Sequence, residues 1–231
     1  MKLKNMKHYS ILLLVLSISS VCFGQSSETR SLDSFNRIQV GESIDLIIKK
    51  GNEESARVEA SGVELSKVQT EVSGNLLRIG LSRGNYRNTK VKIWLTYKNL
   101  ESLSISSSAS VETENILKTE KLRLKASSSG DGHLEIDVDQ LDVSVSSSGS
   151  LTVTGRAMYQ DVSVSSAGSY HAYGLSCEDA EVSASSSGSA RVSASKSIDA
   201  SASSGGNVKY KGNPTKVRTS SSSGGSTRKA N

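Results

Sequence analysis

Long apolar runs are scarce in this chain. The longest, from Ile11 to Leu16, is too short to span a bilayer, and no other segment approaches the ~20 apolar residues that a spanning helix needs. Cysteine is nearly absent: Cys22 and Cys177 are the only two, and loss of the first with a leader would leave Cys177 alone, with no intramolecular disulfide available. A lone thiol among small residues reads as a buried hydrophobe rather than a nucleophile. Histidine is equally sparse. His8 falls in the leader, while His133 and His171 lie beside turns without a cysteine or acidic partner at zinc-ligand spacing. No G-x-S-x-G elbow, S-D-N or K-T-G occurs, so the Ser193-Ala194-Ser195-Lys196 match to S-x-x-K stands without its companions and on a segment that reads as strand. These gaps leave hydrolase and metalloenzyme readings unsupported.

The first two dozen residues combine Lys2, Lys4 and Lys7, an apolar run and small residues before Gln25. That tripartite order is a secretory signal peptide over residues 1–24, cleaved after Gly24. Lipid attachment at Cys22 is the competing reading, and Val21 just before it argues against that. Removing three lysines and no acid lowers the formal charge of +5 to +2. The remaining cations look scattered among Asp and Glu without a basic face, which argues against a nucleic-acid partner.

What is abundant is a phrase of about nineteen residues of the form L-D-V-S-V-S-S-S-G-S-L-T-V. Anchored on its glycine slot it recurs at Ala109, Gly130, Gly149, Gly168, Gly188, Gly206 and Gly225, with spacings of 21, 19, 19, 20, 18 and 19. One coil of a solenoid fits so short a period. The predicted fold is all-β: a single-stranded parallel β-helix or solenoid with coils of about 19 residues, preceded by an N-terminal β-rich region. Eight, six and four residues before the slot lie the inward side chains, Leu122, Leu124 and Ala126 in one coil and Ala180, Val182 and Ala184 in a later one. They end at Val217, Thr219 and Ser221. The core is expected to thin toward the C-terminus, each Val-to-Ala exchange removing ~1.6 kcal/mol of burial. The slot glycines are read as structural turn residues, needed either for a positive φ or for close approach to the next coil. Stacked corner serines are expected to satisfy turn backbone groups.

The segments follow: a polar leader over 25–32, an N-terminal β-strand region packed on the solenoid over 33–100, Ser/Gly-rich repeats over 101–218, and a frayed tail over 219–231. Within 33–100, alternation marks strands around Ile38, Ile44, Val58, Leu77 and Val91, with one helical turn between Gly62 and Val68. This part carries the single Trp and most large aliphatics, so the best-packed core is expected there.

Candidate sites are few. Glu135, Asp137 and Asp139 alternate with apolar residues, and a calcium ion bridging them is the one metal reading, against solvated charge on an exposed strand. A glycan-cleaving site would have to take its paired acids from the Glu135 to Asp142 stretch. No cofactor is implied.

The opening S-F-N-R-I-Q-V-G-E-S-I-D-L-I-I-K-K-G from Ser34 to Gly51, the V-S-G-N-L-L-R-I segment and the S-S-S-G-S coils together resemble the auto-transporter adhesin family with the head GIN domain, a secreted family of the Bacteroidota type. The likeness spans roughly residues 33–220, and Ala109 in the first glycine slot departs from it. It implies an exported β-helical protein whose name suggests adhesion, without catalytic residues to carry over. The expected function is a non-enzymatic cell-envelope or surface protein, an adhesin or interaction module. The alternative is a carbohydrate-binding or carbohydrate-active β-helix. Expected partners are glycans, envelope or surface proteins, or further copies paired through the solenoid ends, with the protein in the periplasm, at the outer-membrane surface or outside the cell.

Overall fold

The computed structural model describes residues 26–230; the leader with Cys22 lies outside them. The N-terminal part contributes β1 (Ser26–Ser31), β2 (Arg37–Val40), β3 (Ile44–Lys50), β4 (Ser55–Ser61), a 3-10 turn (Leu65–Lys67), β5 (Val68–Ser73), β6 (Leu76–Leu81) and β7 (Lys90–Tyr97). Then follow β8 (Ser102–Ile105), β9 (Ser110–Thr113), β10 (Leu117–Ala126), β11 (Asp131–Val145), β12 (Ser150–Val164), β13 (Ser169–Ala172) and β14 (Leu175–Ala184). The last coils hold β15 (Ser189–Ser193), β16 (Ser197–Ala202), β17 (Asn207–Lys211), β18 (Lys216–Ser221) and β19 (Ser226–Lys229). The chain is all-β, a parallel β-solenoid of about seven turns of ~19 residues.

Register follows the glycine slot. Leu122 pairs with Leu141 and Ala126 with Val145, and one coil later Val143 pairs with Val162 and Val145 with Val164. Because side chains alternate with period two, keeping this register keeps every apolar column pointing at the shared axis. Among the described residues, one buried position of these columns is polar. Gln160 stacks on Leu141 and is fully buried, its amide donating to Ser193 O (3.2 Å) and its carbonyl accepting from the Tyr170 hydroxyl (3.3 Å).

The corner resolves the choice left open for the glycines. Positive φ falls on the two residues before the slot, Ser128 (50°) and Ser129 (60°) in one coil and Ser147 (49°) and Ser148 (59°) in the next, while the Gly130 and Gly149 backbones are not left-handed. Close approach is what demands glycine: a Cβ on Gly149 would stand 2.7 Å from the backbone carbonyl of Ala126 in the preceding coil. Each turn closes with an N–H from the slot to the carbonyl three residues earlier, as from Gly130 to Ser127 (2.9 Å). Left-handed serines are costly, at about 1–2 kcal/mol each. A second ladder holds them in place, since Ser108 N–H donates to Ser128 O (3.0 Å), Ser129 to Ser147 (3.1 Å) and Ser148 to Ser166 (3.1 Å). Backbone therefore satisfies backbone. The corner hydroxyls of Ser128, Ser129, Ser147 and Ser148 point to solvent and make no protein hydrogen bond among the described residues, so the expected serine-to-turn bonding does not occur there.

The solenoid does not begin at residue 101. The β2 and β3 strands already form a coil, inserted out of chain order: Ile38 pairs with Leu77 on one side and Leu103 on the other, and Leu46 with Ile93 and Val111. Its corner, Gly41 to Ile44, has φ of 62° at Glu42 and 56° at Ser43 and donates from Ser43 to Ser107 O (2.9 Å), so it is the same turn in different letters. The chain then leaves to build the outermost coil from β6 and β7 and to lay antiparallel strands over it, β5 on β6, β4 on β7, and β1 on β4. The polar leader is thus a strand, with Glu28 opposite Val58.

The far end is built differently. Residues 219–230, expected as a frayed tail, continue the stack as β18 and β19, paired in register with β16 and β17. Backbone pairing sustains them after the core residues run out. Val217, Thr219 and Ser221 occupy the inward register, yet every residue of β18 is exposed, Val217 by 51%, because no described strand lies beyond it.

Candidate functional site

Stacking turns residues about nineteen apart into neighbours, separated by roughly 4.8 Å from strand to strand. Outside the core, this builds columns that no local motif displays. On the face leading into the serine corner, one column runs Arg123, Asp142, Asp161, Glu181, Asp199, Arg218. Four carboxylates stand in line, closed at both ends by a guanidinium: Arg123 lies 3.7 Å from Asp142, and Arg218 lies 3.1 Å from Asp199. The middle pair has no such relief. Desolvation, then the charges of Glu181 and Asp142, raise the Asp161 carboxyl above its ordinary range. Tyr159, one column over, donates to Glu181 (3.2 Å), and its phenol is pushed up to about 12 by desolvation and by that carboxylate. A shallow groove runs beside this column, lined by Tyr159, Asp179, Glu181, Asp199 and Arg218.

On the face that follows the corner, the corresponding column reads His133, Thr152, His171, Arg191, Lys209, Arg228. Its last three members are cations with no carboxylate at ion-pair distance among the described residues. Lys211 sits one column over with its ammonium 4.6 Å above the Tyr173 ring. The cations that look scattered in sequence are thus collected at one end of one face, which corrects the reading that no basic face exists. His171 lies 3.4 Å from Arg191, and desolvation followed by that guanidinium lowers its pKa.

The residues singled out from sequence are placed elsewhere. Glu135, Asp137 and Asp139 share β11, but Asp137 is engaged with Lys118 at 3.4 Å, and among the described residues no group of three or more His, Cys, Asp or Glu side chains is arranged to hold a metal ion. His133 contacts Asp131 (2.9 Å). The Ser193 hydroxyl donates to Tyr173 O (3.1 Å), and Lys196 pairs with Glu178 (2.6 Å), so the S-x-x-K residues serve separate structural bonds. Cys177 is buried, its thiol donating to Asp179 O (3.2 Å) and pushed up to about 11 by burial. The slot glycines Gly130, Gly149, Gly168, Gly188, Gly206 and Gly225 stand at the corners of their coils, each closing its turn with an N–H to the carbonyl three residues earlier. Stacking sets Asp142, at the end of the Glu135 to Asp142 stretch, in line with Asp161, Glu181 and Asp199 of the following coils, a juxtaposition across coils rather than along the strand. The signal was present in the repeat: each acid precedes its slot by seven residues, and each cation of the second column follows its slot by three.

Together these features define a parallel β-solenoid capped at one end, whose outer faces are regular polar columns. Residues 34–214 match the family described as "Putative auto-transporter adhesin, head GIN domain", and the chain belongs to that family. No curated protein matches it. Similar solved structures include a putative adhesin from Bacteroides fragilis NCTC 9343 (22% identity, TM-score 0.78, covering 89% of this chain and 96% of that one). A putative adhesin from Parabacteroides distasonis ATCC 8503 shares 22% identity at TM-score 0.68, covering 90% and 97%. A further protein from the same organism, described as a putative lipid binding protein, shares 22% identity at TM-score 0.69, also covering 90% and 97%. At these identities the likeness shows the fold. No helix among the described residues is long and apolar enough to cross a membrane.

Proposed function

We propose that this protein is an exported, non-enzymatic interaction module of the cell envelope or surface, an adhesin that uses the solenoid's outer faces for contact. The observation that carries this reading is the strict register of the outward columns, which sets runs of like side chains, acids from Asp142 to Asp199 and cations from Arg191 to Arg228, at a fixed repeat from coil to coil. Such a surface suits repeating partners, glycans above all, because within each run successive coils offer successive units a like side chain. The family supports adhesion, and the tripartite leader in the sequence supports export. Fractionation with protease shaving tests the location: a pool shielded from protease and retained in the cytoplasm defeats the proposal. Glycan arrays and pull-downs on envelope extracts test the activity. The expected outcome is retention on at least one glycan class, and blank results in both at high protein concentration remove it.

A second reading has one observation in its favour. Asp161 stands between Asp142 and Glu181 one coil away on each side, with its pKa raised, an arrangement in which neighbouring carboxylates could divide acid and base roles. A carbohydrate-active β-helix predicts turnover of some polysaccharide that Asp161→Asn abolishes. Absence of turnover across neutral and acidic polysaccharides rejects it.

A further inference from the structure

We infer that the basic column on the face after the corner, Arg191, Lys209 and Arg228 with Lys211 beside it, is a binding strip for a linear polysaccharide carrying carboxylate or sulfate groups, laid along the solenoid axis. This rests on the reading of the protein as a contact module and names the ligand class for one of its faces. The three column members are stacked in successive coils by parallel pairing of β15 with β17 and of β17 with β19. Their spacing is therefore fixed by the backbone at roughly 4.8 Å rather than by flexible side chains. Stacking like charges this way costs stability in the isolated chain, and an anion running along the column removes that cost.

The neighbouring chemistry selects among polyanions. Two residues before each cation runs a second outward column, Ser189, Asn207 and Ser226, in the same register. Hydroxyl and amide groups beside cations match a chain that alternates sugar hydroxyls with acidic groups. A membrane surface is disfavoured because it calls for apolar side chains flanking the charges. The exposed large hydrophobics Ile116, Met158, Tyr159 and Val217 all lie off this strip. Single-stranded nucleic acid asks for free aromatic platforms. Of the rings beside the strip, Tyr173 is covered by Lys211 and His171 is engaged with Arg191 at 3.4 Å.

The test uses the full mature chain against dextran sulfate, polygalacturonate and neutral dextran of matched length, with duplex DNA and phosphatidylserine vesicles as competing probes. Binding to the two acidic polysaccharides is expected, weakening as salt rises, with none to neutral dextran. The triple variant Arg191→Ser/Lys209→Ser/Arg228→Ser should lose about tenfold or more in affinity. The control Lys118→Ser/Lys121→Ser/Lys125→Ser, which removes the same charge from other faces, should lose little. Thermal melts of both variants separate lost binding from lost folding, and Arg191→Lys/Arg228→Lys, which keeps the charge, should retain binding. Equal loss in the control, absence of binding to both acidic chains, or tighter binding to DNA or vesicles would each overturn the inference. Retention on a neutral glycan or an envelope protein that the triple variant leaves unchanged would sink the strip while leaving the contact-module reading intact.

Discussion

The two ends of the solenoid solve the same stacking problem with different means. At the N-terminal end the core is made of Ile38, Ile44, Leu46, Ile48, Leu77, Ile93 and Leu95, all fully buried, and antiparallel strands close the outermost coil. At the C-terminal end the large inward residues dwindle to Ile198 and Tyr210 beside Ala200, Ala202 and Val208, and the last coil is covered by nothing among the described residues. Backbone pairing is equally regular in both. Hydrogen-bonded register can therefore be propagated with very little side-chain burial, provided that a large-residue core and a cap at one end fix it first. This is the behaviour of a quasi-one-dimensional stack, in which each coil answers mainly to its neighbours.

The largest effect separates the ends directly with one substitution type. Ile93 packs in register between Leu46 and Val58, whereas Ile198 packs between Ala180 and the half-exposed Val217. Ile93→Ala should cost about 4 kcal/mol, and Ile198→Ala about 2 kcal/mol, because small and exposed neighbours can close over the gap. Urea denaturation measures both. Equal losses would break the comparison, and hydrogen exchange should show β16 to β19 opening at lower free energy than β2, β3 and β7.

Next in size is the corner. Gly149→Ala drives a Cβ into the backbone of Ala126 and should cost about 2 kcal/mol, since a backbone carbonyl cannot rotate away as a side chain can. Ala109→Gly, at the slot where the chain already carries a methyl group, should cost under about 1 kcal/mol. If both changes were equally mild, close approach would not be the reason for glycine. Smaller still is Val217→Ser, which removes a side chain already 51% exposed and should lower stability by less than about 1 kcal/mol. A larger loss there would mean that the last coil is covered in solution.

Sequence spacing was enough to read the inner columns, because Leu122, Leu141 and Ala180 each precede a slot by the same eight residues. The coil of β2 and β3 escaped that reading for two reasons. Its corner is written Gly-Glu-Ser-Ile rather than Ser-Ser-Ser-Gly, and the excursion through β4 to β7 destroys the nineteen-residue spacing. Chain order, in other words, is not stacking order at this end. Left-handed serines were invisible for a different reason, since serine has no intrinsic preference for positive φ and adopts it only because the ladder from turn to turn holds it there. The charged columns could be counted from the slots. Along any single strand they are hidden, because there Glu135, Asp137 and Asp139 stand out and the columns form only across coils.

The smallest expected effect tests that last column. The Asp161 carboxyl has its folded pKa raised, so the folded state holds a proton more tightly there than the unfolded chain does. The sign follows: this group's contribution to stability is fully present below the unfolded carboxylate pKa of about 3.9 and is lost as pH rises through the folded value. At neutral pH the column is therefore a small net cost, which Asp161→Asn relieves. The gain should be only about 0.3 kcal/mol, the low end for a like-charged neighbour, because the side chain is exposed and solvent screens it. It should shrink with added salt and vanish near pH 3. Urea titrations of both proteins at pH 7 and pH 3, each at low and high ionic strength, measure it. A gain that persisted at pH 3 would show that Asn improves packing or hydrogen bonding at this position, and that four stacked carboxylates are no electrostatic burden to the thin half of the solenoid.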